Sequence, residues 1–207
     1  MADTETKVEG TSREPASGDD AIPPAGGMHA DVEKVLFTEA QIRTRVAEMG
    51  AALSEELKDK DPLVVGVLTG AFVFVADLCR AMTIPLTPDF LAASSYGKGS
   101  VSSGTVKIIK DLQNDPSGRH VVIVEDIVDS GLTLMTLGKM FEARGAASVR
   151  FVTLFDKAAR REHPIPDLAH VGFPCPDAFI IGYGIDYAQK YRNLPYVGVL
   201  KPSVYSK

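Results

Sequence analysis

Short, continuous apolar runs alternate along this chain with segments in which apolar residues recur every three or four positions. The continuous runs are typical of buried strands, and they comprise LVVGVL (63–68), HVVIVE (120–125), SVRFVTLF (148–155), AFIIGY (178–183) and YVGVL (196–200), with two further strands near 89–94 and 105–110. The helical spacing predicts three helices, with inner faces formed by Ile42, Val46, Met49 and Leu53, by Phe72, Val75, Leu78, Cys79 and Met82, and by Leu134, Leu137 and Phe141. Strands that alternate with helices predict an α/β fold, a mostly parallel twisted sheet flanked by helices.

Local end signals support these helices. Thr38 followed by Gln41 forms a capping box for the first helix, which should end before Pro62. Arg144 and Gly145 make a favourable end for the third helix. Residues 1–28 carry almost no large apolar side chains, so we expect a disordered acidic tail there and a single domain over 29–207.

Composition narrows the class of protein. The chain has 207 residues and is 45% hydrophobic, which is enough for one domain with a proper core. Its net charge of −5 and its lack of a dense Lys/Arg run argue against nucleic-acid binding. We expect a cytoplasmic protein that is not in a membrane, because no run reaches roughly 18 apolar residues and no signal pattern begins the chain. Cys79 and Cys175 are expected to be buried thiols, and the four scattered histidines make a zinc site improbable.

The stretch VVIVEDIVDSGLTL (121–134) carries chemistry that a core does not need. An apolar strand leads into Glu125 and Asp126, and Ser130 and Gly131 then open a helix whose first amides would bind an anion, typically phosphate. Two acids beside a phosphate site make sense if they hold hydroxyl groups or a divalent cation, so a sugar phosphate with a free diol and Mg²⁺ satisfies both demands. Adjacent strand residues face opposite ways, and we therefore expect the chain to leave the extended conformation at the acid pair. A simple helix cap would explain Asp129 or Ser130 alone, but not the pair.

This stretch resembles the phosphoribosyl-pyrophosphate (PRPP) motif of type I phosphoribosyltransferases. Four further segments, LTGAFVFVADLCRAM, SSYGKGSVSSG, LFDKAARR and PDAFIIGYGIDYAQKYRNLPYVGVL, are similar to hypoxanthine-guanine phosphoribosyltransferases. The likeness runs from about Val35 to Pro202 and leaves only the tail outside.

The resemblance implies a role for each residue of the motif. Glu125 and Asp126 would hold the ribose hydroxyls, and Asp129 would be the general base near the purine. The 5′-phosphate would lie against Asp129, Ser130, Gly131, Leu132 and Thr133. Thr69, Gly70 and Arg192 would bind pyrophosphate, and Glu125, Asp126 and Asp186 would coordinate Mg²⁺.

The resemblance also assigns the purine site and the mobile parts. Lys157 would donate to the 6-oxo group, which excludes adenine, and Phe179 would stack on the base while Ile180 offers backbone groups and Asp186 lies near the exocyclic position. Residues 94–104 match a lid anchored by Ser95 and Tyr96, although a plain hairpin connection is the alternative. One departure is Thr69, where many relatives carry a basic residue. A cis peptide bond at Thr69–Gly70 is also implied.

The function indicated is transfer of the phosphoribosyl group from PRPP to hypoxanthine, and to guanine, in purine salvage. The alternatives are a xanthine-preferring transferase or one for adenine or orotate, a noncatalytic PRPP-sensing regulator on the same fold, and a phosphatase or phospho-receiver on a doubly wound sheet. The last leaves Lys157, Phe179 and Arg192 unexplained. A small hood over the base is expected from the first helix region and the C-terminal strands, and the resemblance implies a homodimer or homotetramer.

Overall fold

The computed structural model describes residues 26–95, 106–165, 168 and 170–206. Most of the predicted tail, residues 1–25, lies outside these ranges, and so does most of the predicted lid, residues 96–104. Gly27 and Met28, which we assigned to the tail, form a short 3-10 helix that spans Gly27–Asp31.

The main sheet has six strands in the order β4-β3-β2-β5-β6-β7. The strands are β2 (Leu63–Leu68), β3 (Thr87–Ser95), β4 (Val106–Lys110), β5 (His120–Val128), β6 (Ser148–Asp156) and β7 (His170–Pro174). All neighbours in this sheet are parallel except the β3–β4 pair, which is antiparallel. The predicted mostly parallel sheet is therefore confirmed, and its parallel strands all end at one edge.

Helices cover both faces of this sheet. Helices α1 (Glu39–Glu56) and α2 (Phe72–Ala81) pack on the face that contains Val122 and Val124. Helix α3 (Leu132–Ala143) packs on the opposite face against Val121 and Ile123. Because both faces of β5 are buried, its side chains are apolar at successive positions rather than at alternate ones.

The predicted helix signals are confirmed. The Thr38 hydroxyl accepts a hydrogen bond from the Gln41 backbone N–H at 3.2 Å, and the Gln41 side chain accepts one from the Thr38 N–H at 2.8 Å. Helix α3 ends at Ala143, and Gly145 follows with a left-handed φ of 79°. No helix in the described ranges is long and apolar enough to cross a membrane. Cys175 is buried and Cys79 is partly buried against the same core, and both thiols are free.

A second, antiparallel sheet forms a small hood, with strand order β1-β9-β8. Its strands are β1 (Val32–Phe37), β8 (Ile180–Ile181) and β9 (Val197–Leu200), and the short helix α4 (Pro202–Tyr205) follows. The hydrophobic pattern did not predict β1, because VEKVLF is short and carries two charges. The N-terminal contribution to this sheet is thus β1, whereas α1 packs against α2 in the main core. Only two residues of the predicted AFIIGY strand pair in the sheet.

Candidate active site

The chemistry-bearing residues lie at the carboxyl edge of the main sheet. Strand β5 lies between β2 and β6 in the parallel part of the sheet, so the residues that follow these three strands meet at that edge. They are Thr69 after β2, Asp129 after β5 and Lys157 after β6. Ligands of open α/β sheets bind beyond the carboxyl ends of the strands, so this edge is the candidate site.

The turn between β5 and α3 forms one wall of a cavity of about 270 Å³. Gly131, with φ of 85°, is the residue immediately before α3, and the first amides of that helix have no acceptor within the helix itself. The lining consists of Glu125, Ile127, Val128, Asp129, Ser130, Gly131, Leu132, Thr133 and Leu134. A cavity bounded by a helix N-terminus and a left-handed turn suits a phosphate group.

The segment that follows Lys157 packs against the turn between β5 and α3 and stabilises it. The Ser130 carbonyl accepts hydrogen bonds from the Glu162 N–H at 3.0 Å and the His163 N–H at 2.8 Å. A Cβ atom at Gly131 would lie 2.6 Å from the His163 carbonyl oxygen and 3.2 Å from the Arg161 side chain. Arg161 forms an ion pair with Asp156 at the end of β6. Sequence reasoning missed this support; Arg160 and Arg161, which follow LFDK after two alanines, were the available signal.

Glu125, which lines the cavity, carries one carboxyl oxygen without a partner. Its Oε2 atom is buried and finds no hydrogen-bond acceptor or donor among the described residues. Burial, and secondarily the charge of Asp126, raises the pKa of the Glu125 carboxyl well above its ordinary value. A buried, unpaired carboxylate is costly, so the geometry favours a ligand hydroxyl or cation at this position.

Asp126 faces a different part of the edge. A Cβ atom at Gly70 would lie 1.9 Å from the Asp126 Oδ2 atom, so this carboxylate packs directly on the Gly70 backbone. Burial raises the pKa of Asp126 to about 6, against the opposing effects of two backbone hydrogen bonds and Arg192. Glycine is therefore required at position 70 because any side chain would displace the acid.

The predicted departure from extended geometry at the acid pair is wrong. Strand β5 continues to Val128, and β6 pairs with it as far as Asp156 because the backbone hydrogen bonds continue along both strands. The Lys157 N–H then donates to the Val128 carbonyl at 2.9 Å. Glu125 consequently lines the cavity, while Asp126 lies against Gly70.

Asp129 and Lys157 are brought together by this pairing of β5 and β6. The Lys157 Nζ atom lies 3.8 Å from the Asp129 Oδ1 atom, and the Lys157 side chain is 9% exposed whereas that of Asp129 is 50% exposed. A buried ammonium group beside an accessible carboxylate offers a hydrogen-bond donor and a proton acceptor on one edge.

The loop after β8 brings Arg192 and Asp186 to the same edge. Arg192 donates to the Gly184 carbonyl at 2.7 Å, and its other terminal nitrogen lies 2.8 Å from Asp186 Oδ1. A Cβ at Gly184 would lie 2.1 Å from the Gly70 carbonyl oxygen, so this loop touches the Gly70 segment. The cis peptide bond is Leu68–Thr69, one bond earlier than the Thr69–Gly70 bond that we predicted.

Phe179 and Ile180 have different environments. Ile180 is buried in β8, whereas Phe179 is 40% exposed and contacts the rings of Tyr187 and Tyr205. Ser95 is the last residue of β3, and Tyr96 lies outside the described residues together with the rest of the predicted lid. The roles assigned to these residues from the resemblance stay predictions.

Mg²⁺ fits the donors at this edge. The described residues contain no group of three or more His, Cys, Asp or Glu side chains that could bind a metal by themselves. Mg²⁺ is typically held by one or two carboxylates and completed by substrate phosphates and water. Glu125 and Asp126, whose ionisation is opposed by burial, would supply such an incomplete set of oxygen ligands.

The raised carboxyl pKa values predict how stability depends on pH. A group whose pKa is higher in the folded state stabilises the fold below its unfolded-state pKa, and this contribution is lost as the pH rises through its folded-state pKa. For the ligand-free protein, the part of the free energy of unfolding due to Asp126 should therefore decrease between about pH 4 and its folded pKa of about 6. Urea unfolding at several pH values should show a weaker dependence for Asp126→Asn than for the wild type. Equal dependence on pH in both proteins would contradict the assignment.

The parallel sheet, the phosphate-sized turn after its central strand and the acid pair before that turn define a phosphoribosyltransferase of type I fold. The model of the phosphoribosyl transferase domain family matches residues 36–188. The hypoxanthine-guanine phosphoribosyltransferase of Bacillus subtilis is 53% identical over 178 residues, which cover 86% of this chain and 98% of that protein. The hypoxanthine phosphoribosyltransferase of Salmonella typhimurium is 48% identical over 80% of this chain and 93% of its own length.

Solved structures agree with this assignment. A crystal structure of a hypoxanthine phosphoribosyltransferase from Staphylococcus aureus matches with a TM-score of 0.85 and 41% identity, covering 89% of this chain and all of that chain. The chain belongs to the hypoxanthine-guanine phosphoribosyltransferase family, as the resemblance predicted. It is an enzyme of the phosphoribosyltransferase class.

Proposed function

We propose that this chain transfers the 5-phosphoribosyl group of PRPP to hypoxanthine and guanine, giving the nucleoside monophosphate and pyrophosphate in purine salvage. The observation that carries the proposal is the Lys157–Asp129 pair, whose charged atoms lie 3.8 Å apart beside the phosphate-sized cavity. A 6-oxopurine needs a donor for its oxo group and an acceptor for a ring proton, and the pair supplies both.

PRPP binding is assigned to the turn and its neighbours. The backbone of Asp129, Ser130, Gly131, Leu132 and Thr133 receives the 5′-phosphate at the start of α3. Glu125 and Asp126 take the ribose hydroxyls, consistent with the unpartnered Glu125 oxygen. Thr69 and Gly70 present backbone groups to pyrophosphate, and Arg192 supplies the cation that Thr69 lacks, because a planar guanidinium matches phosphate oxygens.

Mg²⁺ is the proposed cofactor, held by Glu125, Asp126 and Asp186 together with substrate oxygens. When bound, the ion would neutralise the developing charge on pyrophosphate. Asp186 lies 2.8 Å from Arg192, so its carboxylate is oriented by that cation. Gly184, in the same loop as Asp186 and Arg192, contacts Gly70. We therefore assign this ion pair to the side of the site where the pyrophosphate leaving group is expected.

The purine site is assigned to Lys157, Phe179, Ile180 and Asp186. Lys157 donates to the 6-oxo group, and adenine is disfavoured because its 6-amino group cannot accept that bond. Phe179 keeps an exposed ring surface for stacking, and Ile180 contributes backbone groups. Asp129 accepts the ring proton as the base attacks C1′, and the positive charge that develops on the ribose is stabilised electrostatically.

Four further expectations belong to this proposal. The lid anchored by Ser95 and Tyr96 and the homodimer or homotetramer rest on the family, whereas the tail before a single catalytic domain and the cytoplasmic location rest on the sequence pattern. The noncatalytic regulator is disfavoured, because a sensor of PRPP has no need of a buried Lys157 beside Asp129.

A pyrophosphate-release assay tests the proposed function. With PRPP and Mg²⁺, hypoxanthine and guanine should each support turnover, and adenine should give only the background rate, because Lys157 rejects it. Turnover with adenine alone would show that the role assigned to Lys157 is wrong. A preference for xanthine would favour the xanthine-preferring transferase, and PRPP binding without turnover would favour the noncatalytic PRPP-sensing regulator. Omitting Mg²⁺ serves as the control for metal dependence.

A further inference from the structure

Three aromatic side chains form a cluster at the hood, which we call the aromatic trio: Phe179, Tyr187 and Tyr205. The rings of Phe179 and Tyr205 are stacked, with centroids 5.0 Å apart and planes inclined by 21°. Tyr187 meets Phe179 edge-on, at 5.4 Å and 85°. Tyr205 comes from α4 near the C-terminus, 26 positions after Phe179, and nothing in the motif that predicted the site points to it.

The two tyrosines of the trio do not enclose the Phe179 ring between them. If the two tyrosines covered opposite faces, their centroids would be separated by about the sum of their distances to Phe179. Their centroids are only 6.4 Å apart, so Tyr187 lies at the edge or on the side already taken by Tyr205. Phe179 is still 40% exposed, so the two tyrosines leave part of its ring surface open.

Helix α4 holds Tyr205 in place. The Lys201 N–H, just before this helix, donates to the Asp31 carbonyl at 2.9 Å, and the Lys201 Nζ atom donates to the Ala30 carbonyl at 2.6 Å. Val204 packs against the hood core. The helix is thus fixed to the 3-10 turn that precedes β1, and the direction of Tyr205 follows from these contacts.

We propose that Tyr205 is a positioning residue for the purine base. The Tyr205 ring stacks on one face of Phe179, and this contact directs the other face of Phe179 towards the base. The proposal rests on the purine-stacking role of Phe179 in the proposed function. The stack adds little to the core, because both rings remain more than a third exposed. Its effect is to restrict the rotation of the Phe179 ring before the base arrives, which lowers the entropy lost on binding.

The test compares Tyr205→Leu with Tyr205→Phe. Loss of the stacked ring in Tyr205→Leu should raise KM for hypoxanthine about 2- to 12-fold, the range that corresponds to one aromatic pair. KM for PRPP should stay within about twofold, because the phosphate turn lies on another element. Tyr205→Phe keeps the ring and should restore the wild-type KM for hypoxanthine.

Other outcomes separate this proposal from the proposed function. The positioning role would be overturned if Tyr205→Leu left KM for hypoxanthine unchanged. It would also be overturned if that KM fell, which would mean that Tyr205 competes with the base. An equal rise in KM for hypoxanthine and for PRPP, together with a lower melting temperature, would overturn it as well. Phe179→Leu is measured in parallel. If Phe179→Leu leaves KM for hypoxanthine unchanged, the stacking assignment itself is wrong; if only Tyr205→Leu is without effect, the assignment stands and the positioning role alone fails.

Discussion

Asp129→Asn is expected to lower kcat by about 10²- to 10⁴-fold, the usual contribution of a general base. An asparagine keeps the shape of the side chain but cannot take up a proton from the purine ring. Half of the Asp129 side chain is exposed beside the buried Lys157, so the carboxylate is accessible to a base that contacts both residues. Pyrophosphate release under saturating substrates measures the change in kcat.

PRPP binding should change little in this variant, since the 5′-phosphate is assigned to backbone amides that the substitution leaves in place. Titration calorimetry with PRPP and Mg²⁺ checks that expectation. Asp61→Asn is a matched control, because Asp61 is exposed and precedes β2 at the opposite end of the sheet. Wild-type kcat in Asp129→Asn would exclude Asp129 as the base.

Gly131→Ala is expected to raise KM for PRPP by about 10- to 150-fold, the equivalent of one lost hydrogen bond to a charged group. Two effects combine at this position. The left-handed φ of 85° costs a residue with a Cβ atom roughly 1–2 kcal/mol. The new methyl group would also lie 2.6 Å from the His163 carbonyl oxygen, so the turn must move away from the segment that supports it.

Gly118→Ala separates these two effects. Gly118 has a comparable φ of 72°, but nothing lies within 4 Å of the position that its Cβ would take. Urea unfolding should show a loss of stability from backbone strain in both variants and a further loss from the clash in Gly131→Ala, while only Gly131→Ala weakens PRPP binding. If KM for PRPP rises equally in both variants, or in neither, the phosphate site is not at this turn.

The acid pair illustrates how the site is matched to its ligands. Burial raises the pKa of both Glu125 and Asp126, so ionising either carboxyl costs more free energy in the protein alone than it does in water. A metal ion and the ribose hydroxyls would relieve this cost, because each favours the charged or hydrogen-bonded carboxylate. Binding of these proposed ligands would therefore offset the free energy that it costs to keep the two buried carboxyls ionised.

The sequence by itself determined most of the helices and strands, although not β1 or β7, and it indicated the chemistry proposed for the turn after β5. The capping box at Thr38 and Gln41 involves residues three positions apart, and it forms as predicted. The apolar run of β5 predicted a strand buried on both faces, and the parallel sheet follows from its alternation with helices. These are local signals, since spacing and residue type along a few positions decide them.

Only the tertiary structure decided how the site residues face one another. Glu125 and Asp126 are adjacent in the chain, yet one lines the phosphate-sized cavity and the other packs on Gly70, because pairing with β6 keeps β5 extended to Val128. The support of Gly131 by His163 and the stack of Tyr205 on Phe179 join residues 26 or more positions apart, and β1 pairs with β9 across most of the chain. Contacts of this kind depend on packing of the whole fold, and no periodicity within a segment encodes them.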